Sequence, residues 1–332
     1  MVAGVSLGAY HAARGAAGII DRTYRGRIVV SGPDRATFLQ GLLTNDIVAL
    51  EAGSGCYAAY LTAQGRMIAD MYVYALGDLL LLVVEPEVKD ALLAKFDQLI
   101  FSEDVRLGDV SRTFGEIAVV GPDAARLVSQ VLSDATAAVL AAMPEHGNRR
   151  AGFEGQPVIV TRVADTGTPG FGVYVEQPHV ERLRASFKEA GAVEIDEVTA
   201  EVLRVEGGVP RFHRDMNEET IPLEAGLEAH AISFSKGCYV GQEVIIRVLH
   251  RGHGRIARRL VGLRLEGSAA PEAGAVLRLE DRDVGIVTSA VMSPVLGQPI
   301  ALGYVRRELS TVGTTLTVSG VRATVTELPF VR

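Results

Sequence analysis

Val29-Val30-Ser31-Gly32-Pro33-Asp34 decides the architecture of this chain. A β-prone run ends at glycine, and proline opens a helical pattern with Phe38, Leu39, Leu42 and Leu43 on one face. Proline suits the first turn of a helix, where its missing N–H costs nothing. The pattern returns at Val119-Val120-Gly121-Pro122-Asp123, followed by Leu127, Val128, Val131 and Leu132. Downstream, Leu80 to Val84 leads to Pro86, and Phe171 to Val175 leads to Pro178. The spacing predicts an internal pseudo-repeat of strand–helix units.

Between these units lie paired strands. Cys56 to Leu61 and Met67 to Leu76 flank the turn Thr62 to Arg66. Pro157 to Val163 and Phe171 to Val175 flank Asp165 to Gly170. Strand pairs with single helices predict an α+β fold with antiparallel strand pairs. From about Arg259 six short β-prone runs alternate with Gly, Pro and Ser turns: 260–265, 275–279, 284–287, 301–305, 315–318 and 323–326. These predict a small C-terminal antiparallel β-barrel. The expected division is residues 20–250, with an internal boundary near 110, followed by a barrel over 255–332.

The chain has 332 residues, 48% of them hydrophobic, and no tryptophan, so its cores must be aliphatic. A net charge of −7 argues against general binding of nucleic acid or anionic membrane. The longest strongly apolar run, Leu79 to Val84, is far short of a membrane span. Arg14, Asp21 and Arg22 interrupt any signal-like region. Two cysteines make no disulfide framework, and no Cys/His set has metal-ligand spacing. The expectation is a cytoplasmic protein without its own metal site.

Chemistry points to Lys236-Gly237-Cys238-Tyr239-Val240-Gly241-Gln242-Glu243-Val244-Ile245-Ile246-Arg247. Here a cysteine sits on a glycine turn near cations, where a thiol is exposed and readily ionised. Taken on residue types alone, it is equally a tight connection before a strand Val244 to Ile246. The pattern Lys-Gly-Cys-Tyr-x-Gly-Gln-Glu-x-x-x-Arg resembles the signature of the YgfZ branch of the YgfZ/GcvT family of folate-binding proteins. The resemblance implies the GcvT-like folate-binding fold and tetrahydrofolate as ligand. It also implies a role with iron–sulfur client or assembly proteins.

Further segments extend the resemblance. Leu61-Thr62-x-Gln64-Gly65-Arg66, followed by Asp70 and Tyr74, is similar to the hairpin lining the pteridine pocket of glycine-cleavage aminomethyltransferases. In those enzymes the second of two aspartates contacts the reactive folate nitrogen; here the pair reads Ala69-Asp70. Strand alternation independently puts Ile68, Asp70, Tyr72 and Tyr74 on one face. A carboxylate among tyrosines needs a partner, or else an edge strand with a solvated face. Arg204-Val205-Glu206-Gly207-Gly208 resembles the family's Arg-x-Glu-x-Gly stretch, whose arginine helps hold folate. Read as a strand, i, i+2 spacing places Arg204 and Glu206 on one face. Pro222-Leu223-Glu224-Ala225-Gly226-Leu227 matches a structural element of the family.

Two departures stand out. Asp165 and Thr168 occupy the positions of the folate-contacting tyrosine and glutamate of aminomethyltransferases. Tyr239-Val240-Gly241-Gln242-Glu243 replaces their Phe-x-Gly-Lys-Glu. Both favour a YgfZ-type accessory protein in which Cys238, assisted by Lys236 and Arg247, sits at the pocket rim. The expected binding residues are Asp70, Tyr72, Tyr74, Arg204, Glu206, Gln242, Glu243 and Arg247, with Cys238, Lys236 and Asp70 in chemical roles. The alternative is a folate-dependent aminomethyltransferase or related one-carbon transferase, with Asp70 as acceptor at the amine; a third is a folate-binding scaffold without chemistry. Arg247, His250, Arg251, His253, Arg255, Arg258 and Arg259 form either a patch for the tail of polyglutamylated folate or a solvated connector.

Overall fold

The computed structural model describes residues 4–251 and 256–331. It is a mixed α/β structure of two antiparallel-rich sheets and a closed barrel. In the five-stranded sheet the hairpin Gly55–Leu61 and Met67–Ala75 adjoins Leu79–Val84, then Gly26–Ser31, then Arg106–Asp109. In the six-stranded sheet the hairpin Asn148–Phe153 and Gln156–Val163 adjoins Gly170–Glu176, then Phe114–Val120, then Gly18–Asp21, with the short parallel strand Val193–Glu194 added at the edge. The strand orders correspond, and so do the central antiparallel pairings: Ile28 faces Leu82, and Ile117 faces Val173. After the helix Leu7–Gly15 the first strand joins the six-stranded sheet; the chain then crosses to build the five-stranded one and returns after Asp109.

The pseudo-repeat extends to the helix entries. Gly32 and Gly121 take φ of +101° and +118°, where a side chain would strike a backbone carbonyl of Asp104 or Ala16. Helices Arg35–Leu42 and Ala124–Val131 follow, each ending where an extended leucine, Leu43 or Leu132, leads away. Each sheet buries its own aliphatic layer beneath these helices, around Leu39, Leu82 and Phe96 in one lobe and around Leu127, Val173 and Phe187 in the other. All six expected barrel strands are present, as Arg258–Leu265, Val276–Leu279, Arg282–Ser293, Gln298–Arg306, Thr315–Val318 and Val321–Thr326.

Two local expectations fail. The run 201–210 is not a strand: Glu197–Glu206 is a helix, opened by the Asp196 side chain accepting from the Thr199 N–H. Asp at the N-cap and glycine at the end outweigh the β-branched residues between them. Val244 to Ile246 is not a strand either but part of the short helix Gln242–Ile246, which sinks Ile245 into the core. Tertiary burial overrides β-propensity in so short a run.

Candidate functional site

Where both lobes meet the barrel, a cavity of about 790 Å³ opens. Tyr57, Asp70 and Tyr72 come from the first hairpin, Glu85 from the end of Leu79–Val84, and Arg25 from the crossing between sheets. Asp165 and Gly167 come from the second lobe, Arg211 and Phe212 from the segment after helix Glu197–Glu206, and Leu260 to Gly262 from the barrel. Close backbone approach shapes one wall. A β-carbon on Gly167 would lie 2.4 Å from the Gly207 Cα, so both positions must be glycine.

Asp70 is 9% exposed, and the Tyr57 hydroxyl donates to its Oδ2 at 2.5 Å. Burial pushes its pKa up to about 6, with nearby Glu85 adding to the rise and the Tyr57 hydrogen bond opposing it. The Tyr57 and Tyr72 rings lie 5.2 Å apart and form an aromatic wall. Two other carboxylates of the wall, Glu85 and Asp165, are paired with guanidiniums. Arg211 donates through Nε and Nη2 to Glu85 Oε2, at 3.1 and 2.7 Å. Asp165 lies against Arg22 and Arg25 at 2.5 and 2.7 Å. Burial alone would raise the Asp165 pKa, but these two cations outweigh it and hold the carboxylate ionised. Asp70 therefore differs from its neighbours: its partner is a neutral hydroxyl.

Of the expected site residues, the cavity brings together Asp70, Tyr72 and Arg204. Arg204 is there but committed. Its donors go to Glu201 at 2.8 and 2.5 Å, the Val209 carbonyl at 2.5 Å, Asp215 at 2.6 Å and Ser289 at 2.8 Å. Those five bonds use all five N–H groups of a guanidinium, leaving none for a ligand. Glu206 points elsewhere because the segment is a helix. It is fully buried, bound by Tyr10 at 2.9 Å, by Ser293 at 2.5 Å and by Arg14, so it fastens the N-terminal helix and the barrel. Tyr74 shares the face of Tyr72, their rings 6.4 Å apart, but is buried with Leu81, Val83 and Tyr174, off the cavity wall.

The Lys236–Arg247 segment is not at the rim. Cys238, Lys236, Gln242, Glu243 and Arg247 are absent from the cavity lining. Tyr239 and Ile245 pack into the core with Phe38, Leu39 and Met71, and Met71 points to the opposite side of its strand from Tyr72. Lys236 is 8% exposed and donates to the carbonyls of Gln40, Leu43 and Asn45 at 2.7, 2.6 and 2.8 Å, closing the end of helix Arg35–Leu42. Burial lowers its pKa to about 8, against the pull of Asp46 and Cys56. The lysine is a helix cap rather than a thiol activator. Cys238 is a free, exposed thiol, and Cys56 is buried. Of the basic run, residues 252–255 and the side chains of His250 and Arg251 lie outside the described residues; Arg258 pairs with Glu224 at 3.0 Å and Arg259 with Glu228 at 3.3 Å.

Sequence reading missed Tyr57, Arg25, Glu85 and Arg211. Tyr57 was detectable, because hairpin register sets it directly opposite Tyr72. The others are brought in by chain crossings that leave no periodic signal.

Fold and cavity define a two-lobed, barrel-capped protein with a central cavity of small-molecule size. The comparisons are specific about the family. Residues 5–236 match the model of the GCVT N-terminal domain, and residues 258–332 match that of the glycine cleavage T-protein C-terminal barrel domain. The chain belongs to the GcvT-like folate-binding family. It is 32% identical to an aminomethyltransferase of Cutibacterium acnes over 98% of this chain and 90% of that one. It is also 32% identical to an aminomethyltransferase of Rubrobacter xylanophilus, over 90% and 78%. A putative chloroplastic transferase of Arabidopsis thaliana is 29% identical, over 94% and 71%. The crystal structure of aminomethyltransferase T of the glycine cleavage system from Bartonella henselae superposes with a TM-score of 0.86 at 23% identity, covering 98% of this chain and 89% of that one, which shows the shared fold. Among the described residues no helix is long and apolar enough to cross a membrane.

Proposed function

We propose that this protein is a tetrahydrofolate-dependent one-carbon transferase of the aminomethyltransferase type, with the central cavity as its folate site. The observation that carries the reading is Asp70, the one carboxyl of the set Asp70, Glu85 and Asp165 that no guanidinium neutralises. The residues fit such a ligand. The cavity volume is within the ~300–1,000 Å³ of small-molecule sites, and Tyr57 and Tyr72 offer ring faces for a heteroaromatic ligand.

When bound, tetrahydrofolate supplies the amine that receives the one-carbon unit. Asp70 accepts a hydrogen bond from that amine and takes its proton as positive charge develops there. Its pKa of about 6 leaves it ionised at neutral pH, yet basic enough to hold the proton. Tyr57 fixes the carboxylate's orientation through Oδ2 and leaves Oδ1 for the ligand. Arg211 and Arg25 keep Glu85 and Asp165 from adding unpaired negative charge beside it.

The test is turnover of an aminomethyl-lipoyl carrier protein with tetrahydrofolate. Wild type should turn over, and Asp70→Asn should lose about 10²–10⁴-fold in kcat, the usual weight of a positioned proton acceptor. Tetrahydrofolate binding with no turnover on this carrier would sink the transferase reading.

A second reading is favoured by the exposed thiol of Cys238 in its Lys-Gly-Cys-Tyr-x-Gly-Gln-Glu segment. It is a YgfZ-type accessory protein that binds tetrahydrofolate, in polyglutamylated form, and serves iron–sulfur client proteins through that thiol. In this reading Cys238→Ala leaves folding and folate affinity intact but lowers iron–sulfur enzyme activities in cells. Unchanged activities would remove it.

A further inference from the structure

Tyr72 has a neighbour on the cavity wall that no sequence pattern announces. The chain reverses at Pro144-Glu145-His146-Gly147, where the Gly147 N–H donates to the Pro144 carbonyl at 2.9 Å. His146 holds φ at +58° in this turn. A positive φ at the third turn position is normally supplied by glycine or asparagine, so histidine is a strained choice. Strain of this kind tends to gather where a side chain serves a ligand. Here it sets the imidazole against Tyr72, with ring centroids 5.5 Å apart and planes tilted by 43°.

The turn belongs to the second lobe and Tyr72 to the first, so the contact crosses the seam between them. Asn148 pins the crossing. Its amide donates to the carbonyls of Ser54 and Ala75 at 2.7 and 3.2 Å, and its N–H to Gly53 at 2.8 Å. His146 and His230 both line the cavity with Asp70. The His146 side chain is 15% exposed, and its Nδ1 is buried with no hydrogen-bond partner. Nε2 lies 3.6 Å from the Glu145 carboxylate, beyond an ordinary hydrogen bond. The titratable groups around it are Tyr72, Glu145, His230 and Asp165. Burial lowers its pKa against the pull of Glu145, and His230 adds to the fall. The ring is then neutral at pH 7, with one nitrogen carrying a lone pair.

We propose that His146 is a ligand-contacting residue of the cavity: its ring extends the aromatic wall of Tyr57 and Tyr72, and its unshared nitrogen accepts a hydrogen bond from an N–H on the ligand's aromatic ring system. The inference rests on the folate reading above and names a contact within that site.

Backbone strain makes the test discriminating. His146→Gly removes the ring and relaxes the turn, so a merely structural histidine and a ligand-serving one predict opposite results. The melting temperature should hold or rise while calorimetric affinity for tetrahydrofolate falls about tenfold; His146→Phe, which keeps a ring without an acceptor, should lose about fivefold. In wild type, the His146 imidazole proton resonances should titrate at lower pH with saturating tetrahydrofolate than without. If His146→Gly binds tetrahydrofolate as wild type does, or if the titration does not move, the inference is overturned and the folate site stands. Wild type that fails to bind tetrahydrofolate overturns both.

Discussion

Asp70 works against the stability of the fold that holds it. Its ordinary pKa is 3.8, and in the folded chain it is about 6. Between those values the folded state keeps a proton that the unfolded chain has released, so stability falls as pH rises from about 4 to 6 and stays lower above. The shift corresponds to about 3 kcal/mol at most. Asp70→Asn should therefore be more stable than wild type at pH 7.5, by about 1–3 kcal/mol, with the gap closing near pH 4. Chemical denaturation at both pH values measures this; a less stable variant at pH 7.5 contradicts the assignment of a strained carboxylate. Tyr57→Phe removes the hydrogen bond that favours the ionised form, so the Asp70 titration, followed by carboxyl carbon resonance, should move above 6.

The helix Glu197–Glu206 shows how an element can carry a familiar motif into an unexpected role. At helical spacing Arg204 and Glu206 diverge, one towards Asp215 and Ser289, the other towards Tyr10 and Ser293. Arg204 is thus a junction between lobe and barrel, and Asp215 beneath it has no exposed side-chain surface. Arg204→Met should cost about 3–5 kcal/mol by leaving that carboxylate buried and unpaired. Adding Asp215→Asn should recover part of the loss, and a double-mutant cycle in denaturant measures it. Additive losses would mean the pair is not coupled. At the helix end, Gly207→Ala should destabilise by about 1–3 kcal/mol or more, because the new methyl meets the Gly167 backbone. Sequence periodicity misread this helix because Val202, Leu203 and Val205 suit a strand equally well; the capping Asp196 and the closing Gly207 were the signals that separate the two.

At the scale of the whole molecule, what the sequence made legible follows from what leaves a periodic trace. Repeated Gly-Pro-Asp junctions, alternating hairpins and six Gly-punctuated barrel strands each mark themselves locally, and all are present in the α+β fold. The cavity wall is different. Asp70 announced itself as a carboxylate in an apolar strand, but Arg25, Glu85, His146 and Arg211 come from four separate connections. Only tertiary crossings bring them together. Motif likeness likewise placed the Lys236–Arg247 segment at the cavity mouth, whereas Tyr239 and Ile245 needed burial and drew it to the helix-covered core.

The proposed chemistry requires folate in the cavity between the lobes with Asp70 at its amine. Calorimetric titration of tetrahydrofolate into wild type and Asp70→Asn at pH 7.5 tests it most directly. Wild type should show saturable one-to-one binding and the variant a loss of about 10- to 100-fold, the weight of a hydrogen bond to a charged group. Equal affinity for the two proteins, or no binding to either, would contradict it.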